Sequence, residues 1–291
     1  MPSLQSSKLA FIGGGNMASA IIGGLLSNNV AKSNIFVAEP WDVNRNKLAA
    51  TGVQTTTSNV EAGAQADLVI IAVKPQVAQT VCEELGASWS GRERLPVVVS
   101  IAAGITLGSL QEWARTKDGR APHVVRVMPN TPALVAEGAS GAFASSDVTA
   151  EEKELVNALL GSVSKATEWV EKEELLDVVT GLSGMTDGLT KLFLGSGPAY
   201  FFAMVEHLVA SATALGLPQD QATRLATQTC LGAGKMLVES SDEPSQLRKN
   251  VTSPNGTTHA ALQTFEGLGF KDIVDKAVKA ATDRAAELGK K

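Results

Sequence analysis

A glycine turn lies near the start of the chain, directly after a short apolar run. Leu9-Ala10-Phe11-Ile12 leads into Gly13-Gly14-Gly15-Asn16-Met17-Ala18, which fits the pattern G-x-G-x-x-G/A. The pattern alone is weak; a strand before it and a helix after it supply the context it requires. Gly13 permits the tight turn, Gly15 lets the backbone approach a pyrophosphate, and Ala18 lets the helix pack closely on the strand. The phosphates then meet free N–H groups at the positive end of the helix dipole. The plainer alternative is an ordinary Gly-rich strand-to-helix turn. Its place in the first strand–helix unit favours the nucleotide reading.

Beyond the turn, strand and helix signals alternate. Ile35 to Ala38, Leu68 to Val73, Val97 to Ser100 and His123 to Met128 are short runs rich in Val and Ile. Ala18 to Leu26, Val43 to Ala50, Val77 to Leu85 and Leu107 to Ala114 read as helices between them. Unbroken Val/Ile runs separated by helices predict a parallel sheet covered on both faces. Gly138 to Ser145 and Ala166 to Val170 add further strand signals, and Glu151 to Leu160 a helix.

From Glu171 onward the β-branched runs fade and Ala/Leu/Glu/Lys-rich segments take over. Phe201, Val205, Leu208, Ala212 and Leu215 recur at helical spacing, and Gly216-Leu217-Pro218 ends that segment. Gln221 to Val238, Thr257 to Leu268 and Lys271 to Leu288 complete an all-helical region. The expected division is 1–170 for the nucleotide domain and 171–291 for a helical domain. Glu171-Lys172-Glu173-Glu174 reads as a solvated helix start. The Ala/Gly-rich helices between Tyr200 and Val238 suit either subunit packing or an internal core.

Composition narrows the partners. The 291 residues carry a net charge of −5 with no Lys/Arg run, which argues against a nucleic-acid surface. No apolar run approaches the ~18–20 residues that span a bilayer. Cys82 and Cys230 are too few and too far apart for a disulfide framework or a C-x-x-C metal site. His123 and His207 stand alone without metal-ligand spacing. Met1 to Ser7 is polar and lacks a signal pattern. The expected address is the cytoplasm, and no metal is expected.

The carboxyl ends of the predicted strands carry the candidate ligand contacts, as open α/β sheets require. Glu39 ends the second strand, somewhat beyond the usual ~20 residues after the glycine motif. Its carboxylate would accept hydrogen bonds from the ribose hydroxyls of NADH and repel the 2′-phosphate of NADPH. Arg45 and Lys47 are nearby cations able to reverse that preference, although Lys47 reads better as part of a solvated helix face. Ala72-Val73-Lys74-Pro75 and Ala102-Ala103-Gly104 end two further strands. Lys74 offers a charge to orient cofactor or substrate, or is simply a strand-end lysine in water. Ala102, Ala103 and Gly104 are small enough for a nicotinamide ring to lie flat, or for tight packing.

Four segments carry a more specific signal: Met128-Pro129-Asn130-Thr131-Pro132, Thr180-Gly181-Leu182-Ser183-Gly184, Ser196-Gly197-Pro198-Ala199-Tyr200 and Asn250-Val251-Thr252-Ser253-Pro254-Asn255-Gly256-Thr257-Thr258. Together they resemble the pyrroline-5-carboxylate reductase family from Leu9 to about Leu288. The resemblance implies an α/β N-terminal Rossmann-type doubly wound parallel sheet. An all-α C-terminal dimerisation domain would follow, interlocking with a second subunit in a homodimer able to build a decamer. It implies reduction of the cyclic imine 1-pyrroline-5-carboxylate to L-proline, the last step of proline biosynthesis, with NADPH or NADH. The implied cofactor set is Gly13, Gly15, Asn16, Met17, Ala18, Glu39, Asn59, Ala72, Val73, Lys74, Ala102, Ala103 and Gly104. The implied substrate set is Asn250, Val251, Ser253, Gly256, Thr257 and Thr258, with Thr258 near the imine nitrogen; Thr258 and Lys74 are the candidate catalytic residues.

The substrate loop makes chemical sense for a small anion, because a Ser/Pro/Gly/Thr turn opening a helix offers N–H groups and hydroxyls. Thr257 or Thr258 is also able to serve as a helix N-cap. The family has Gly where Asn255 stands, so a left-handed residue is expected there, which Asn tolerates. His259 replaces a usual apolar residue and reads as structural. The family motif T-G-L-S-G-S-G-P-A-Y is interrupted here by Met185 to Gly195. A helical insert of that length makes about three turns and nearly preserves phase, but Gly188 and Gly195 favour an extra loop that bulges from a break. The rival enzyme is another imine or β-hydroxyacid reductase of the same plan. The latter wants a lysine on the first interdomain helix, where only Lys172 and Lys191 are on offer. A catalytically silent nucleotide-binding regulator is the rival of a different class.

Overall fold

The computed structural model describes residues 3–183, 185–186 and 194–289. Its main sheet contains β1 (Leu9–Ile12), β2 (Ile35–Ala38), β3 (Gln54–Thr56), β4 (Leu68–Ile71), β5 (Val97–Ser100), β6 (Val124–Met128), β7 (Gly138–Ala144) and β8 (Ser164–Trp169). The strand order is β3-β2-β1-β4-β5-β6-β7-β8. All pairs are parallel except β6 with β7. The parallel sheet expected from the Val/Ile runs is present, with one antiparallel pair where β7 joins β6. The link from β6 to β7 contains only a short 3₁₀ turn, Thr131–Val135. A parallel return needs a crossover of a dozen residues or more.

The alternation of side chains across each strand builds two cores. On one face Leu9, Phe11, Ile70 and Val99 pack with Ile21, Ile22 and Leu25 of α1 (Asn16–Ser27) and Val156 and Leu159 of α6 (Ala150–Leu160). On the other face Ala10, Ile12, Ile71 and Val98 pack with Ala62 of α3 (Asn59–Gly63), Leu85 of α4 (Pro75–Ser88) and Leu110 of α5 (Leu107–Trp113). Each large apolar side chain so buried contributes roughly 1.5–3 kcal/mol. Helix starts follow their sequence cues. Pro75 opens α4, and Thr149 with Glu152 forms a reciprocal capping box on α6. Between β2 and β3 lies α2 (Asp42–Ala50).

Backbone proximity divides the chain into one unit of Met1–Gly197 with Ala281–Lys291, and another of Pro198–Ala280. In the first, α7 (Leu175–Leu182) follows β8, and α8 (Ser196–Ala214) begins. Glu173 is not the solvated residue expected of the segment before α7. Its Oε1 accepts from Nη1 of buried Arg126 at 2.5 Å and from the Leu107 N–H at 2.6 Å. A buried guanidinium requires a counter-ion, and β6 presents Arg126 to this turn. The insert does not continue α7 as helix. Its ends, β9 (Met185–Thr186) and β10 (Leu194–Gly195), pair antiparallel. Asp187 to Phe193, which include Gly188, Leu189, Lys191 and Leu192, lie outside the described residues.

The second unit is all helix: most of α8, then α9 (Gln219–Glu239), α10 (Pro244–Asn250), α11 (Thr257–Gly267) and the start of α12 (Phe270–Leu288). Among its described residues only Pro198, at its first position, and Ala222 are buried. Phe201, Phe202, Leu225 and Leu231 are all more than half exposed.

Candidate functional site

The glycine turn lies at the carboxyl end of β1, where the chain leaves one face of the sheet for α1 while β4 feeds α4 on the other. This is the switch point at which doubly wound sheets bind ligands. Gly13 has φ +100°, and a Cβ there would stand 2.5 Å from the Ala72 carbonyl oxygen. Its N–H donates to the Ala38 carbonyl at 2.8 Å, so the turn is wedged between the ends of β2 and β4. Gly15 is the N-cap of α1 with φ −69°, and no side chain caps the helix. A Cβ on Gly15 would meet nothing within 4 Å. The start of α1 is therefore uncapped, and the space beside Gly15 is open. An anionic phosphate group fits that cradle. Met17 and Ala18 are buried against the sheet, and Asn16 is exposed at the helix start.

Glu39 lies where the second strand was expected to end, but its carboxylate is already engaged. Oε2 accepts the Gly14 N–H at 2.7 Å and Oε1 the Trp41 N–H at 2.8 Å, and the residue is 7% exposed. Beside it, Arg45 donates to the carbonyl oxygens of Glu39 and Pro40 at 2.9 and 3.1 Å and pairs with Asp42. Lys74 is exposed as the N-cap of α4, directly after Ala72 and Val73 at the end of β4. Ala102 to Gly104 follow β5; Ala102 is buried, and Gly104 has φ +75°. Asn59 lies in the first turn of α3, and its amide donates to Glu84 at 3.1 Å. Cys82 faces the core, and burial pushes its thiol up to about 12, so it is an inert packing residue.

The 250–258 loop belongs to the helical unit. Asn250 ends α10, accepting from Gln246 at 2.7 Å and donating to Asp242 at 3.2 Å. Val251 is exposed. Asn255 is left-handed, φ 58°, at the position where glycine was expected to be replaced. Gly256 N–H closes the turn on the Ser253 carbonyl at 3.0 Å, and a Cβ on Gly256 would run into the Ser253 hydroxyl. Gly256, not a threonine, is the N-cap of α11, and no side chain caps it. The capping alternative for Thr257 and Thr258 is thereby set aside. The amides of the first turn and both hydroxyls remain as donors toward a ligand. His259 follows in the same turn. His123 belongs elsewhere, its Nδ1 2.7 Å from Glu152 Oε2.

Three features escape a reading of the sequence: the Glu39 clasp on the glycine turn, the Arg45–Asp42 pair, and the Arg126–Glu173 pair. The first two had a visible signal, a Glu-Pro-x-Asp-x-x-Arg cluster after a strand. The third joins residues far apart in the chain and had none.

An eight-stranded, mostly parallel sheet with this turn, joined to a helical dimerisation domain, defines an NAD(P)-dependent oxidoreductase. Residues 8–104 match the family model described as NADP oxidoreductase, coenzyme F420-dependent. Residues 173–288 match the model of pyrroline-5-carboxylate reductase dimerisation. The pyrroline-5-carboxylate reductase of Pseudomonas aeruginosa is 41% identical over 286 residues, 98% of either chain. The solved reductase of Coxiella burnetii is 37% identical with a TM-score of 0.88, covering 98% of this chain and 99% of its own. The Plasmodium falciparum enzyme, solved with NADP bound, is 30% identical with a TM-score of 0.80 over 98% of this chain and 99% of its own. The chain belongs to the pyrroline-5-carboxylate reductase family. Among the described residues no helix is long and apolar enough to cross a membrane.

Proposed function

We propose that this protein reduces 1-pyrroline-5-carboxylate to L-proline with NADPH or NADH, closing proline biosynthesis in the cytoplasm. The observation that carries the reading is the uncapped α11 start behind Ser253 to Thr258, in a chain that also has an uncapped glycine turn. Residues 1–170 hold the dinucleotide, and 171–291 carry the substrate loop and the dimerisation surface. Two chains pair through the helical domain, and a decamer is assembled from such dimers.

When bound, the reduced nicotinamide supplies the hydride for the C=N bond. Gly13, Gly15, Asn16, Met17 and Ala18 form the phosphate cradle, with Glu39 and Asn59 at the ends of β2 and β3. Ala72, Val73, Ala102, Ala103 and Gly104 present small surfaces at the ends of β4 and β5, and Lys74 orients by charge. Ser253, Gly256 and Thr257 direct N–H and hydroxyl donors at the substrate carboxylate, with Asn250 and Val251 shaping the approach. Thr258 hydrogen-bonds at the imine nitrogen and guides rather than stores the proton. The proton arrives on the iminium form or through water. Alignment is the main contribution of such a site, because held reactants avoid the entropy of encounter.

The test is NAD(P)H oxidation measured with pyrroline-5-carboxylate against a panel of β-hydroxyacids and other imines. Turnover should be confined to pyrroline-5-carboxylate and close imine analogues. Faster turnover of a β-hydroxyacid would overturn the assignment. Light scattering on the eluted enzyme should find dimers or decamers and no monomer.

A further inference from the structure

The end of β2 carries a charged arrangement that Glu39 does not explain. Arg45 reaches back from α2 over the strand end, and its Nη1 donates to the main-chain oxygens of Glu39 and Pro40 at 2.9 and 3.1 Å. Its Nη2 pairs with the Asp42 carboxylate. The Arg45 side chain is 21% exposed and that of Asp42 is 76% exposed. The cation is thus fixed by backbone, while its counter-ion stands in water. In a doubly wound sheet the adenosine ribose of a dinucleotide reaches this strand end. Glu39 is the opposite case. It is buried, and its two oxygens each take a backbone N–H, one of them from the glycine turn itself.

We propose that Arg45 reads the 2′-phosphate of NADPH, that Asp42 is the counter-ion the phosphate displaces, and that Glu39 is a positioning residue that holds the glycine turn. The assignment rests on the dinucleotide reading above. A guanidinium has five N–H donors in a planar fork. The two carbonyls occupy Nη1, so Nε and Nη2 are the edge available to an incoming oxyanion. A phosphate monoester carries roughly −1.5 to −2 charges and three acceptor oxygens, more than the single charge of Asp42. Exchange of the exposed carboxylate for the phosphate therefore strengthens the contact. NADH brings no such group, and the Arg45–Asp42 pair stays closed beside it. On this account Asp42 competes with NADPH and leaves NADH untouched.

The experiment is isothermal titration of the full-length enzyme with NADP⁺ and with NAD⁺, for the wild type and for Arg45→Met, Asp42→Asn and Glu39→Gln. Circular dichroism checks each variant for folding, and Arg45→Lys serves as a second variant that keeps the charge but not the fork. Arg45→Met should weaken NADP⁺ about tenfold, the scale of one charge-assisted contact near the surface, with NAD⁺ within about twofold. Arg45→Lys should fall between the two. Asp42→Asn should tighten NADP⁺ several-fold and leave NAD⁺ alone. Glu39→Gln should weaken both by a similar factor, because an amide N–H₂ then faces a backbone N–H. A Glu39→Gln variant that shifts the NADP⁺/NAD⁺ ratio, or an Arg45→Met variant that does not, overturns the proposal. Wild-type enzyme that binds neither dinucleotide overturns the dinucleotide reading, and this assignment with it.

Discussion

Two alanine substitutions two residues apart should fail in different ways. In Gly13→Ala the new methyl would lie 2.5 Å from the Ala72 carbonyl oxygen, 2.8 Å from its carbon and 3.2 Å from the Val73 nitrogen. All three are backbone atoms of the β4 end and cannot rotate away. The φ of +100° adds the cost of a positive-φ residue bearing a Cβ, about 1–2 kcal/mol, and the overlap adds about 1–3 kcal/mol. A loss of roughly 2–5 kcal/mol lowers Tm by about 5–15 °C for a protein of this size. Gly15→Ala has neither problem, since its φ is −69° and its Cβ meets nothing within 4 Å. Its Tm should stay within a degree or two, or rise slightly as the unfolded chain loses freedom. A methyl in the open space at the α1 start would crowd a pyrophosphate drawn to its amides, so dinucleotide affinity should fall at least about tenfold, ~1.4 kcal/mol. Thermal melting and NADP⁺ titration on both variants decide the matter. Wild-type affinity in Gly15→Ala would refute the placing of the pyrophosphate, and a wild-type Tm in Gly13→Ala would refute the wedge.

Thr258→Ala should lower kcat/KM about 5–150-fold, one hydrogen bond of ~1–3 kcal/mol, while NADP⁺ affinity is unchanged; unaltered turnover would remove Thr258 from the site. Asp177 is held above the usual carboxylate range by burial, against the pull of Arg126. Its folded form prefers the proton, so its contribution to stability is present at low pH and is lost as pH rises through the folded value. Asp177→Asn should therefore melt higher than wild type at pH 7, with the gap closing below about pH 4; the reverse order in melts across that range would contradict the assigned cause. Deleting Met185 to Gly195 should leave Tm, oligomeric size and activity at wild-type levels. Met185 already pairs with Gly195, and a Cβ on Gly197 would lie 2.7 Å from the Ser183 Cα, so the flanks of the insert are neighbours. A drop in kcat/KM or a smaller species on size exclusion would make the insert a working part.

Legibility followed burial. β1, β2, β4, β5 and β6 are covered on both faces, and such strands must be written as unbroken apolar runs. β3 went unseen because it is a three-residue polar edge strand, Gln-Thr-Thr, which needs no such run. The antiparallel turn of β7 is set by the length of a link, not by its own residues. In the site, the glycines were legible because each answers a local demand: positive φ at Gly13, clear space at Gly15. Asn255 was legible for the same reason. The hold of the Glu39 carboxylate on the Gly14 N–H was not legible, because it arises from pairing β1 with β2. Arg126 with Glu173 is wholly a tertiary fact.

Helical spacing from Phe201 to Val238 left two readings open, an internal core or a subunit face, because both are written in the same periodic apolar code. The structure separates them by exposure. Phe201 at 62%, Phe202 at 60%, Leu225 at 61% and Leu231 at 56% lie on helices whose own unit buries almost nothing. Covering each such side chain contributes roughly 1.5–3 kcal/mol, so a handful rivals the 5–15 kcal/mol that ordinarily holds a whole domain together. A second dimerisation domain laid on that face would supply most of the core such a unit lacks. Its stability is then a function of chain concentration. The 250–258 loop lies between α10 and α11 of the same unit. The glycine turn, set in a sheet with two cores of its own, does not wait on that covering.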